Sequence, residues 1–104
     1  MILEALESSK VDQLALEFEA SHLNPALLRL CPSKTVMFGC IDNGTDEIES
    51  PDYVASKLLA ASKYMSAEQI QAAPDCGLVP LGLSVARAKL KTMVAGAKLA
   101  REKL

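Results

Sequence analysis

Apolar residues along this chain fall into short runs of strand length, separated by stretches with helical spacing. Val11 to Phe18, reading VDQLALEF, contains Leu14, Ala15, Leu16 and Phe18 and has the length of a strand. Val36 to Ile41, VMFGCI, is apolar throughout apart from Gly39, the pattern of a strand covered on both faces. Ile70 to Ala73 is a third, weaker run.

The intervening stretches predict helices. Leu3 and Leu6 give a short one over Ile2 to Ser9. Asn24-Pro25 supplies an N-cap and a proline at the first helical position, opening a short helix through Leu27, Leu28 and Leu30 that stops before Pro32. Ser50-Pro51 opens another, with Val54, Leu58, Ala61 and Met65 as its apolar stripe. Ser66 and Gln69 fit a capping box for one further short turn. The last helix runs from about Ser84 to Lys103. Leu83, Ala86, Leu90, Met93 and Ala97 line its apolar side; Lys89, Lys91, Lys98, Arg101 and Lys103 supply charge elsewhere, weighted towards the C-terminal end where cations complement the helix dipole.

Strand followed by helix, three times over, implies an α/β fold with parallel strands joined by right-handed crossovers. Three βα units make ~3/8 of an eight-fold barrel, so the predicted fold is a partial TIM barrel. No linker or low-complexity stretch divides the 104 residues, which read as a single domain.

Composition narrows the function. Half of the residues are hydrophobic and 23% charged, which excludes a disordered chain, and with 4% aromatics the core must come from Leu, Ala, Val and Ile. A net charge of −2 leaves no electrostatic footprint for nucleic acid or an anionic membrane. No apolar run approaches the ~20 residues needed to span a bilayer. Glu4 stands where a signal peptide carries its basic region. Three cysteines without short paired spacing make a poor disulfide framework. A cytoplasmic location with reduced thiols is expected.

Three positions invite chemistry. Glu17 interrupts an apolar strand near its C-terminal end, where a carboxylate is either turned to solvent or held by a partner. Asp42 ends the second strand, before the turn residues Asn43-Gly44. Cys76 follows the third strand, between Asp75 and Gly77. Each also has a plain structural reading: Glu17 as a solvated strand end, Asp42 as a turn former, Cys76 as an inert packing residue. Cys31 and Cys40 read as structural, His22 as a surface residue, and Asp46, Glu47 and Glu49 as a solvated loop. What favours chemistry is that Glu17, Asp42 and Cys76 all stand at C-terminal strand ends, the edge where βα barrels gather catalytic side chains. A carboxylate and a thiolate are also two of zinc's usual donors.

Pro74-Asp75-Cys76-Gly77-Leu78, followed by Ala88-Lys89-Leu90, Met93-Val94 and Ala97-Lys98, resembles the end of the cobalamin-independent methionine synthase family. Leu16-Glu17-Phe18 is similar to that family's strand with the metal-binding glutamate; Phe38-Gly39-Cys40-Ile41-Asp42 and Ile48-Glu49-Ser50-Pro51 are similar to its next strand and helix start. The resemblance implies a zinc-dependent S-methyltransferase of methionine biosynthesis, in which zinc binds homocysteine as thiolate and the methyl group comes from a methyltetrahydropteroyl-polyglutamate. It implies that Glu17 and Cys76 are zinc ligands and that Asp42 lies near the amino-acid substrate.

The family's other two ligands, a His-x-Cys pair on the strand before Glu17, have no match here; His22 follows Glu17 and has no cysteine two positions on. The chain alone is therefore expected to bind zinc poorly and to transfer no methyl group. Open strand edges and an uncovered inner face predict a homo-oligomer. A second chain supplying the missing strands, as in a split enzyme, and a non-catalytic assembly module are the other readings.

Overall fold

The computed structural model describes residues 2–104. The chain runs α1 (Ile2–Glu7), β1 (Gln13–Glu17), a 3-10 helix (Pro25–Leu30), β2 (Thr35–Ile41), α2 (Pro51–Ala61), a 3-10 turn (Ala67–Gln69), β3 (Ile70–Pro74) and α3 (Leu83–Glu102). The strands form one parallel sheet in the order β1-β2-β3. The three parallel strands with intervening helices make the α/β arrangement that the periodicity predicts. No helix among the described residues is long and apolar enough to cross a membrane.

Sequence dictates where each element starts. Asn24 caps the first 3-10 helix by accepting the Ala26 N–H at 2.9 Å, and Pro25 supplies its first residue. Ser50 does the same for α2, accepting from the Tyr53 N–H at 3.1 Å ahead of Pro51. Side-chain acceptors at these positions satisfy helix N–H groups that have no partner within the helix. The capping box expected from Ser66 and Gln69 does not form. Ser66 makes no side-chain cap, and the Gln69 side-chain amide instead reaches back to donate to Pro32 O at 2.7 Å and Lys34 O at 2.9 Å. Its geometry is claimed by the entry to β2 rather than by its own turn.

Register places Leu16, Phe38 and Ala72 in one row and Glu17, Gly39 and Ala73 in the next. Because side chains alternate across a strand, these rows face opposite ways. Leu14, Phe18, Val36, Phe38 and Cys40 lie under the helices with Val54, Leu58, Ala61 and Met65, and together they form the core. Phe18 stacks on Phe38 with ring centroids 4.4 Å apart. On the other face Ala15, Glu17, Met37 and Gln71 are exposed. That face would be the inside of a barrel.

The predicted apolar side of α3 is rotated in the structure. Leu83 and Leu90 are exposed, whereas Lys89, Thr92, Gly96 and Ala100 are buried. Small residues explain the choice. A Cβ on Gly96 would lie 2.5 Å from Val54 Cβ and 2.9 Å from Pro51 O, so α2 and α3 approach closely only because position 96 carries no side chain. Lys89 joins the buried line because its ammonium finds partners at the end of β2.

Candidate functional site at the C-terminal strand ends

Glu17, Asp42 and Cys76 all lie at the carboxyl edge of the sheet, as the strand order predicts. Glu17 is the last residue of β1 and is exposed on the open face, in the row with Gly39 and Ala73. Cys76 lies two residues beyond β3 and is the exposed thiol of the three. It lines an open cavity of about 540 Å³ on the same face, together with Ala15, Met37, Ala73 and Leu78. The strands bearing Glu17 and Cys76 are separated by β2, which puts their backbones roughly 10 Å apart.

Asp42 belongs to a different hollow. It lines a 210 Å³ pocket with Glu19, Thr45, Glu47, Glu49 and Tyr53. Its Oδ1 accepts the Gly44 N–H at 2.8 Å, the turn-forming contact that the Asp-Asn-Gly sequence suggests. Both main-chain polar groups of Asp42 are also held. Glu49 Oε2 accepts its N–H at 2.8 Å, and Lys89 Nζ donates to its carbonyl at 2.9 Å.

The expectation of a solvated acidic loop is therefore corrected at Glu49. Lys89 Nζ is fully buried and donates to Glu47 O at 2.7 Å and Glu49 Oε1 at 3.0 Å as well as to Asp42 O. An ammonium has three N–H donors, and all three are used. Glu49 is drawn in because a buried cation needs a counter-charge.

Asp75 was not singled out by the sequence pattern, although it sits beside Cys76. It is buried, and its carboxylate accepts the main-chain N–H groups of Glu19 at 3.1 Å and Ala20 at 2.7 Å. The one usable signal was Gly39, the break in an otherwise apolar strand. A Cβ there would stand 2.3 Å from Asp75 Oδ1. Gly39 is glycine because the Asp75 carboxylate occupies its side-chain space.

Electrostatics separates the thiols and the tyrosine. Burial pushes the Cys40 thiol up to about 12, and burial also raises Cys31. Tyr53 is pushed up to about 12, first by burial and then by its hydrogen bond to the Glu19 carboxylate. His22, in the loop after β1, is exposed with a left-handed φ of 50°.

Glu17 and Cys76 are donor types that zinc accepts. Among the described residues, however, no group of three or more His, Cys, Asp or Glu side chains is placed to hold a metal ion. The two supply part of a donor set and do not complete one.

Known proteins show what this edge is similar to. A family model described as cobalamin-independent synthase, catalytic domain, matches residues 1–99. The methionine synthase of Sulfurisphaera tokodaii is 35% identical over 99 residues, an alignment covering 95% of this chain and 29% of that protein. The methionine synthase of Thermococcus kodakarensis is 30% identical over 105 residues, covering 100% of this chain and 31% of its own length. Among solved structures, a B12-independent methionine synthase from Shewanella sp. W3-18-1 in complex with selenomethionine superposes with a TM-score of 0.95 at 37% identity, over 98% of this chain and 30% of that one. The chain thus spans about 30% of the length of the proteins it matches.

Proposed function

The chain belongs to the family of the cobalamin-independent synthase catalytic domain, and on that premise we propose that it forms the segment of a methionine-synthase-type barrel that delivers Glu17 and Cys76 to a zinc site for thiol methylation. The observation that carries the proposal is that both donors lie at the carboxyl edge of one parallel sheet, Glu17 at the end of β1 and Cys76 two residues past β3. Bound zinc would act there as a Lewis acid that lowers the pKa of a substrate thiol. The remaining donors come from the rest of the barrel. Asp42 is held by Glu49 and Lys89 through its main chain and by the Gly44 N–H at its Oδ1, and it lines a separate hollow. It would lie near the amino-acid part of a homocysteine-like substrate only as the family resemblance implies.

Exposed apolar surface supports completion by further protein. Leu83, Leu90 and Val94 are 68%, 41% and 57% exposed and recur along α3 at steps of seven and four. They form the stripe a neighbouring barrel helix would cover. Met37 and Ala15 lie bare on the inner face. Exposed apolar patches of this kind mark interaction surfaces. The covering protein is the remainder of the same barrel, carried on this polypeptide or on a separate chain. Where neither is available, copies of this segment associate through the same surfaces.

The test is zinc content and methyl transfer to homocysteine in the completed barrel. Wild type should hold zinc in equimolar amount and methylate the thiol, and Glu17→Gln and Cys76→Ser should each hold zinc at clearly less than one equivalent and lose methyl transfer. Full zinc content in either variant would overturn the proposal. The isolated segment should show neither property.

A further inference from the structure

Among the described residues, the hydrogen bonds that join the exit of β1 directly to the exit of β3 are those of Asp75. Its Oδ1 accepts from Glu19 N and its Oδ2 from Ala20 N, the two residues that follow Phe18. Its own N–H donates to Ile41 O at 2.8 Å, at the end of β2. One residue therefore fastens all three strand ends. A carboxylate accepting two N–H groups makes charge-assisted bonds, which are stronger and more directional than neutral ones. The carboxylate reaches β1 by crossing β2 over Gly39, where any Cβ would collide with Asp75 Oδ1, so there is no room for a side chain.

Two positions from Glu19 stands Glu17, and directly after Asp75 stands Cys76. We infer that Asp75 is the positioning residue that fixes the separation and orientation of Glu17 relative to Cys76; the inference rests on reading those two as a shared donor pair. Backbone pairing alone does not do this. β1 and β3 each bond to β2 and not to each other, and the β2–β3 register shifts between Gly39 and Ile41, just where the cysteine-bearing loop begins. Asp75 closes that gap with a direct link across the central strand. Glycine at position 39 is part of the same device.

The test uses the full chain and two independent readouts. Cys76 is exposed while Cys31 and Cys40 are buried, so a nitroxide can be attached at Cys76 alone. Its paramagnetic broadening of the amides of Glu17 to Ala20 reports how the two strand ends sit. In Asp75→Ala that broadening should weaken and spread, and hydrogen exchange at Glu19 and Ala20 should accelerate, with Leu16 and Val36 unchanged. Asp75→Asn, which turns one acceptor oxygen into a donor facing an N–H, should fall between and covers the case in which the alanine variant does not fold.

The second readout is Co²⁺ titration of unlabelled protein in the completed barrel, where the remaining donors are present, followed by the thiolate-to-cobalt absorbance. Apparent affinity should fall roughly 10–100-fold in Asp75→Ala, as for other residues that orient metal ligands. Unchanged broadening at Glu17 to Ala20, or exchange rising equally over the whole sheet, would overturn the inference by making Asp75 inert or merely structural. The donor-pair reading fails on a different result. A cobalt band of undiminished intensity in Cys76→Ser removes the pair, and with it the role of Asp75, while leaving the bonds between strand ends intact.

Discussion

Replacing Lys89 by methionine tests how much of this edge depends on one buried cation. The ammonium is fully buried and its three donors go to Asp42 O, Glu47 O and Glu49 Oε1. Methionine fills similar space but leaves Glu49, whose side chain is 10% exposed, as a buried carboxylate with no cation. Breaking a buried pair from one side costs about 3–5 kcal/mol. At about 4–5 °C per kcal/mol for a domain of this size, the melting temperature should fall by roughly 12–25 °C. Urea unfolding followed by circular dichroism measures the loss as a shift of midpoint at constant slope. Adding Glu49→Gln should restore about 1–3 kcal/mol, because the orphaned charge is removed while an amide oxygen can still accept the Asp42 N–H. A single-variant loss below about 1 kcal/mol, or a double variant whose losses simply add, would refute the reasoning.

Other outcomes follow from the same structure. Gly96→Ala should destabilise by about 1–3 kcal/mol, against the usual benefit of alanine in a helix, because its Cβ would meet Val54 and Pro51 O at 2.5 and 2.9 Å; thermal unfolding reads this directly. A thiol reagent at about pH 8 should modify Cys76 alone in the folded chain and all three cysteines in denaturant, since burial leaves only ~10⁻⁴ of Cys40 as thiolate. Tyr53 contributes stability that is fully present below about pH 10, its unfolded value, and is lost as pH rises towards 12, because folding raises its pKa. Wild type should therefore lose stability over that window more steeply than Tyr53→Phe, as alkaline urea titrations would show.

Much of the frame was legible because hydrophobic period and start signals are local. Asn24-Pro25 and Ser50-Pro51 began helical elements as expected, and the stripe Val54, Leu58, Ala61 and Met65 is buried. The strands shifted by little: Val11 lies outside β1 because it is exposed before the ladder begins, and Phe18 lies just past it while still donating to Gly39 O at 3.2 Å. What the pattern missed depends on contacts between residues far apart in sequence. Lys89 reads as a surface charge until Asp42, Glu47 and Glu49, some 40 to 47 residues away, converge on it. Leu90 reads as core until Gly96 and Ala100 turn the small side of α3 inward. Asp75 draws no reading of its own from the pattern, and only its bonds to Glu19 and Ala20, 56 and 55 residues earlier, reveal the link between strand ends. Glu17 and Cys76 were visible as donor types at strand ends, and both are exposed there.

Zinc-edge X-ray absorption on the completed barrel tests the central claim most directly, because it reports the atoms around the metal. The account predicts sulfur scatterers at about 2.3 Å in wild type and, in the zinc that Cys76→Ser retains, one sulfur fewer with an oxygen or nitrogen scatterer at about 2.0–2.2 Å in its place. An unchanged first shell in Cys76→Ser would contradict it.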